Sequence, residues 1–175
     1  FDVISNGLKK RKISLTSFKK TENLILNKKP GIIINCAALT NIDYCEKYKS
    51  KSFNINVKSI ENIFKIKKKN NLNFYFIQIS TDQIYDPKNN ISNKENSKPT
   101  INNIYSKHKY MAEKICKKNG SLILRTNFFG KYKNNISNWI FYNFKKKNNK
   151  KLNLFKDVYF SPLRATKISD IIFYI

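Results

Sequence analysis

Phe74-Tyr75-Phe76-Ile77-Gln78-Ile79 is a largely apolar run that stops at Ser80-Thr81-Asp82. Such a run, bounded by turn-forming residues, fits a strand buried on both faces of a parallel sheet. Two other stretches share this form: Ile32-Ile33-Ile34-Asn35-Cys36-Ala37-Ala38 and Leu122-Ile123-Leu124-Arg125-Thr126. In open α/β sheets, ligands sit at the carboxyl ends of strands. Asn35 to Thr40, Ser80 to Asp82 and Asn127 to Gly130 therefore fall along one edge. Ala37 and Ala38 are small enough to let a ligand approach closely, although tight packing alone would select the same residues.

Between these strands the spacing turns helical. Ser14-Leu15-Thr16-Ser17 offers hydroxyl caps to a helix from Phe18 to Asn27, which stops at Pro30-Gly31. Asn41 to Lys49 is a polar, helix-like connection. Phe53 to Lys67 carries Ile55, Ile60, Ile63 and Phe64 on one face, and Ile104 to Lys118 reads as another helix. Phe1 to Ser5 reads as a short strand, and Pro87 to Thr100 as a surface loop. This alternation predicts an α/β fold, a parallel sheet with helices on both faces. After Gly130 the pattern changes: an aromatic-rich helix at Trp139 to Lys147, a short strand at Leu152 to Phe155, a loop at Tyr159 to Leu163, and a helix from Ile168 onward.

The chain has 175 residues, enough for one domain of ordinary size. Its formal charge is +24, yet only Arg11, Arg125 and Arg164 are arginines among 35 basic residues. Lys, Asn and Ile share A/T-rich codons, so a biased genome explains the charge without a nucleic-acid function. Arginine, the better residue for bidentate phosphate and base contacts, is scarce. No specific nucleic-acid partner is expected, only nonspecific attraction to polyanions. No run approaches the ~20 apolar residues that span a bilayer, and no charged leader precedes an apolar stretch. A cytoplasmic protein without a membrane partner is expected. Cys36, Cys45 and Cys116 are odd in number and fit no metal spacing, so buried, reduced thiols are expected and no metal site.

Tyr105 and Lys109 would share a helix face, one turn apart. A free phenol titrates near ~10. A nearby ammonium favours the phenolate, so Lys109 is expected to lower the Tyr105 pKa and ready it for proton transfer to a substrate oxygen. Thr81 offers a hydroxyl to the same oxygen. Alone, Tyr-x-x-x-Lys occurs by chance in so lysine-rich a chain and is most often a solvated face. His108 lies between the two and points off their face.

Taken in order, Ile34 to Asp43, Phe53-Asn54-Ile55-Asn56-Val57, Ile79 to Asp86, Tyr105 to Lys109, Leu124-Arg125-Thr126 and Phe160-Ser161-Pro162 resemble the extended short-chain dehydrogenase/reductases, and among them most the dTDP-4-dehydrorhamnose reductase group. The resemblance implies a Rossmann-like doubly wound parallel sheet. Residues 1–130 would form the NAD(P)-binding domain without its first β-α unit, and residues 131–175 the start of a small substrate-binding subdomain. Thr81, Tyr105 and Lys109 match the catalytic threonine, tyrosine and lysine. Asn35, Ala37, Ala38, Thr40 and Asn56, with Tyr105 and Lys109, match the cofactor side. Thr81, Asp82 and Phe128 match the substrate side, where Phe128 replaces the tryptophan usual beside the sugar.

The implied reaction is reduction of the C4 keto group of a nucleotide-linked 4-keto-6-deoxysugar, within dTDP-rhamnose and polysaccharide biosynthesis. Lys9-Lys10-Arg11 would meet a 2′-phosphate, favouring NADP over NAD. The Gly-rich turn that cradles a pyrophosphate has no match, so the chain is expected to be a fragment, inactive and poor at binding dinucleotide. Its partner is the nucleotide-sugar, with a homodimer allowed. A 4,6-dehydratase is a rival reading, but it uses an acidic pair where this chain has Gln83. An epimerase, or a non-catalytic member like the regulatory subunit of methionine adenosyltransferase, is a further alternative.

Overall fold

The computed structural model describes residues 14–85, 93–129, 142 and 161–175. Three strands form a parallel sheet: β1 (Ile32–Asn35), β2 (Tyr75–Ile79) and β3 (Leu122–Leu124), in that order. Ile32 aligns with Tyr75 and Asn35 with Gln78, while Ile79 aligns with Leu124. Parallel neighbours need crossovers, and helices supply them. β1 reaches β2 through α2 (Ile42–Lys47), α3 (Lys49–Phe53), a π turn (Asn54–Lys58) and α4 (Ser59–Lys69). β2 reaches β3 through α5 (Ile104–Lys118), and α1 (Phe18–Lys28) precedes β1.

Local chemistry sets the helix ends. Ser17 accepts from the Lys20 amide to start α1, and Lys29, in the left-handed region at φ 42°, closes it onto the Ile25 carbonyl. Asn41 caps α2 through the Tyr44 amide at 2.7 Å, and Asn103 caps α5 through the Ser106 amide at 2.8 Å. Lys67, Lys68 and Lys69 end α4, where cations suit the helix dipole.

The core lies between the helices and one face of the sheet. Ile60, Ile63, Phe64 and Ile66 of α4 pack with Ile25, Phe74, Phe76, Ala112 and Cys116, and Ile33 and Ile123 border them. Phe64 meets Phe76 edge-on, with ring centroids 5.0 Å apart. Among the described residues α1, α4 and α5 share this core. On the opposite face Ile32, Ile34 and Tyr75 are exposed, while Ile77 and Ile79 further along β2 are buried.

A second, two-stranded parallel sheet joins β4 (Phe128–Phe129) to β5 (Leu163–Arg164), followed by α6 (Ala165–Tyr174). The predicted strand at Phe1 to Ser5, the basic Lys9-Lys10-Arg11, the helix at Trp139 to Lys147 (Tyr142 excepted) and the strand at Leu152 to Phe155 lie outside the described residues, as does the start of the predicted loop at Pro87. Among the described residues no helix is long and apolar enough to cross a membrane.

Candidate active site at the strand ends

The chain leaves β2 at Ser80 and Thr81 and turns through a short 3-10 segment, Asp82–Ile84. The Thr81 hydroxyl accepts from the Gln83 amide at 3.2 Å, which fixes the turn. α5 lies alongside, with Tyr105 and Lys109 on its buried face as the spacing predicts. Thr81, Tyr105 and Lys109 are all buried, and the Thr81 side chain lies close enough to Tyr105 to act on its phenol. The Lys109 Nζ donates to the Ile79 carbonyl at 2.6 Å. The three residues therefore meet where β2 ends.

The electrostatics differ from expectation. The Tyr105 pKa is raised, chiefly by burial; the Thr81 side chain lowers it, and Cys45 and Asp82 add to the rise. Lys109 does not bring it down, because its ammonium turns to the Ile79 carbonyl and burial drops its own pKa to about 8. The consequence is chemical: a phenol kept protonated at neutral pH is a proton donor rather than a base.

The residues expected on the cofactor side are bound into two networks. In the first, the Ala37 amide donates to Asn35 Oδ1 at 3.2 Å, and Asn35 Nδ2 donates to Gln78 Oε1 at 2.9 Å. Gln78 Nε2 then donates to the Ile79 carbonyl at 2.7 Å, the same oxygen that Lys109 grips. In the second, Asn56 clamps the loop after β1, accepting from the Leu39 amide at 2.8 Å and donating to the Leu39 carbonyl at 3.0 Å. Asn56 also donates to Ser52 Oγ at 3.3 Å, and Ser52 pairs with His108 Nδ1 at 2.8 Å. His108 thus faces α3 rather than the reacting edge. Ala37 and Thr40 are exposed at the loop and Ala38 is half-buried.

On the substrate side, Asp82 Oδ2 accepts from Asn127 Nδ2 at 3.4 Å, and Asp82 Oδ1 is buried with no partner. An orphaned carboxylate oxygen beside Thr81 suits a ligand hydroxyl. Phe128 is exposed on β4. Cys36 is also exposed, contrary to the expectation of buried thiols, because it follows the last residue of β1; Cys45 and Cys116 are buried.

Gln78, Glu113, Arg125 and Asn127 were not singled out from the sequence as site residues. A signal existed for three of them. Glu113 continues the four-residue spacing of Tyr105 and Lys109, and Arg125 is one of three arginines among 35 basic residues. Gln78 offered one as well, as a polar residue inside an apolar run.

The edge fits the nicotinamide half of a dinucleotide in its donor chemistry. Lys109 has further ammonium hydrogens beyond the one given to Ile79, and small, exposed residues line the loop after β1. Parallel strands, crossover helices and a polar edge where strand ends meet define a Rossmann-like α/β protein. The chain belongs to the family described as the RmlD substrate binding domain, whose model matches residues 2–175.

It is 28% identical over 127 residues to a dTDP-4-dehydrorhamnose reductase of Aggregatibacter actinomycetemcomitans, covering 71% of this chain and 42% of that protein. It is 25% identical over 130 residues to the spore coat polysaccharide biosynthesis protein SpsK of Bacillus subtilis, covering 73% of this chain and 44% of that one. The chain thus spans under half the length of these curated relatives. Among solved structures, the dTDP-4-dehydrorhamnose reductase of Bacillus anthracis in complex with NADP aligns at a TM-score of 0.82 and 26% identity, over 94% of this chain and 59% of that one. A hypothetical dTDP-4-dehydrorhamnose reductase of Sulfolobus tokodaii aligns at 0.74 and 32%, over 91% and 56%.

Proposed function

We propose that this chain is the catalytic part of an NADPH-dependent ketoreductase that reduces the C4 carbonyl of a nucleotide-linked 4-keto-6-deoxysugar. One observation carries the reading: Thr81, Tyr105 and Lys109 meet, buried, at the end of β2, in a chain whose family includes proteins named dTDP-4-dehydrorhamnose reductase. A reduced nicotinamide would supply the hydride. Tyr105, held protonated by burial, gives its proton to the nascent alkoxide. Thr81 hydrogen-bonds the same oxygen. Lys109 holds the adjoining ribose while it anchors the end of β2 at the Ile79 carbonyl. Asn35, Ala37, Ala38, Thr40 and Asn56 form or support the cofactor-side surface. The free Asp82 oxygen takes a sugar hydroxyl, and Phe128 packs against the sugar. NADP is favoured over NAD because the related Bacillus anthracis reductase was solved with NADP. A place in dTDP-rhamnose or other polysaccharide biosynthesis follows from the same relatives.

The test follows NADPH absorbance with the full-length protein that carries this chain and a panel of nucleotide 4-keto-6-deoxysugars. Turnover is expected with one of them, and Tyr105→Phe should lower it by about 10²–10⁴-fold. Retained NADPH binding without turnover on any sugar would overturn the catalytic reading and favour a regulatory subunit of the same fold.

A further inference from the structure

Tyr105, Lys109 and Glu113 recur every four residues along α5, so they form one stripe down the helix. Each touches the end of β2: Tyr105 meets Thr81, Lys109 meets the Ile79 carbonyl at 2.6 Å, and Glu113 Oε1 accepts from Ser80 Oγ at 2.5 Å. The reading of the site so far uses the first two. Glu113 is 3% exposed, and a carboxylate so buried needs a partner. Arg125, just past β3, supplies it as a fork: Nε donates to both carboxylate oxygens at 3.1 Å, and a terminal nitrogen donates to Oε2 at 2.7 Å. The other terminal nitrogen reaches the Tyr85 hydroxyl and, at 2.8 Å, the Glu95 carbonyl. Five separate parts of the chain therefore meet at one ion pair: the end of β2, the residue after the 3-10 turn, the loop at Glu95, α5 and the end of β3.

We propose that Glu113 and Arg125 are a positioning pair that fixes the β2 end against α5, so holding Thr81 in place, and balances the charge on Lys109. The inference rests on the reading of Thr81 and Lys109 as catalytic. The groups acting on Lys109 are few: Glu113 and Cys116 from α5, and Cys36 from the end of β1. Burial weakens Lys109 toward neutrality, and Glu113 is the foremost charge opposing that. A lysine in this chain would replace the Arg125 charge but not the fork that holds both carboxylate oxygens.

The experiment reads Lys109 directly in this chain, independently of turnover. The acylation rate of each lysine is measured by mass spectrometry from pH 6 to 11, with Lys109→Arg marking the peptide. Glu113→Gln keeps an acceptor for Ser80 and removes the charge; it is expected to lower the Lys109 midpoint by about one unit or more. Arg125→Gln removes the cation that opposes the Glu113 charge and should raise the midpoint. Midpoints that stay put in both folded variants, or move in the same direction, overturn the charge-balancing role. Arg125→Lys keeps the charge and loses the fork, and covers the case in which the first two fail to fold. Its amide hydrogen exchange at Ser80 to Ile84 should quicken about tenfold or more, and unchanged protection there overturns the positioning role. Failure of the NADPH assay with a normal lysine shift would discard the proposed reaction and leave the pair intact.

Discussion

The chain leaving β1 and the chain leaving β2 reach the same edge of the sheet, one residue apart in strand register, yet different chemistry holds them. The β1 loop is held by neutral groups: Asn35, Gln78 and Asn56, with Ser52 and His108 behind them. The β2 turn is held by charged ones: Lys109, Glu113 and Arg125. Neutral hydrogen bonds fix a backbone without placing a net charge beside what lies above it. Charges fix a backbone and also act on the proton affinity of neighbouring groups, as Glu113 does on Lys109. The two meet on one atom, the Ile79 carbonyl, which accepts from both Gln78 and Lys109.

Breaking the charged side should cost most. Arg125→Met leaves Glu113 buried without its partner, and urea unfolding should show a loss of about 3 kcal/mol or more. Gln78→Leu comes next, because it strips Asn35 Nδ2 of its acceptor and Ile79 of one donor inside the sheet; a loss of about 2–3 kcal/mol is expected in the same assay. Asn56→Leu should cost about 2 kcal/mol and loosen the Leu39 loop, read as faster exchange of the Leu39 amide.

A pH titration separates the two sides further. Burial and the neighbouring Lys107 lower the His108 pKa below its ordinary value, so the unfolded chain binds the proton more readily than the folded one. Stability from this group is present above about 6.5 and falls as the pH drops below that value toward the depressed folded pKa. The smallest effect belongs to a surface pair outside both sides: Lys58→Ala, which breaks the contact with Glu61 at 2.9 Å, should change stability by under about 0.5 kcal/mol.

Much of this edge was legible from the sequence because apolar runs ending in small or hydroxylated residues mark buried strands and their ligand-facing ends. The helix from Ile104 to Lys118 and its Tyr-Lys face were readable from spacing alone. What spacing does not give is direction at the atom level. Lys109 sits on the expected face but donates to a carbonyl rather than acting on the phenol, and only tertiary packing decides that. Gln78 stood out as a polar residue in an apolar run, but its partner Asn35 is 43 residues away, and Asn127 pairs with Asp82 at a distance of 45 residues, so neither pairing was readable. Arg125 stood at the end of a recognised strand, but nothing local tied it to Glu113.

The π turn at Asn54–Lys58 has a consequence for insertions and deletions. A π turn is an α-helix carrying one residue too many, and such bulges tend to sit at functional positions. Here the wide turn runs between α3 and α4 with Asn56 at its centre, aimed at Leu39. Deleting one residue in this stretch would give back a regular helix, with a better local hydrogen-bond ladder. It would also turn the residues on one side by about 100° relative to the other, so Ser52 and Asn56 would no longer both meet their partners. A shorter stretch would be the better helix and the worse clamp, so residue count within this helix, and not only residue identity, sets whether the Leu39 loop is held.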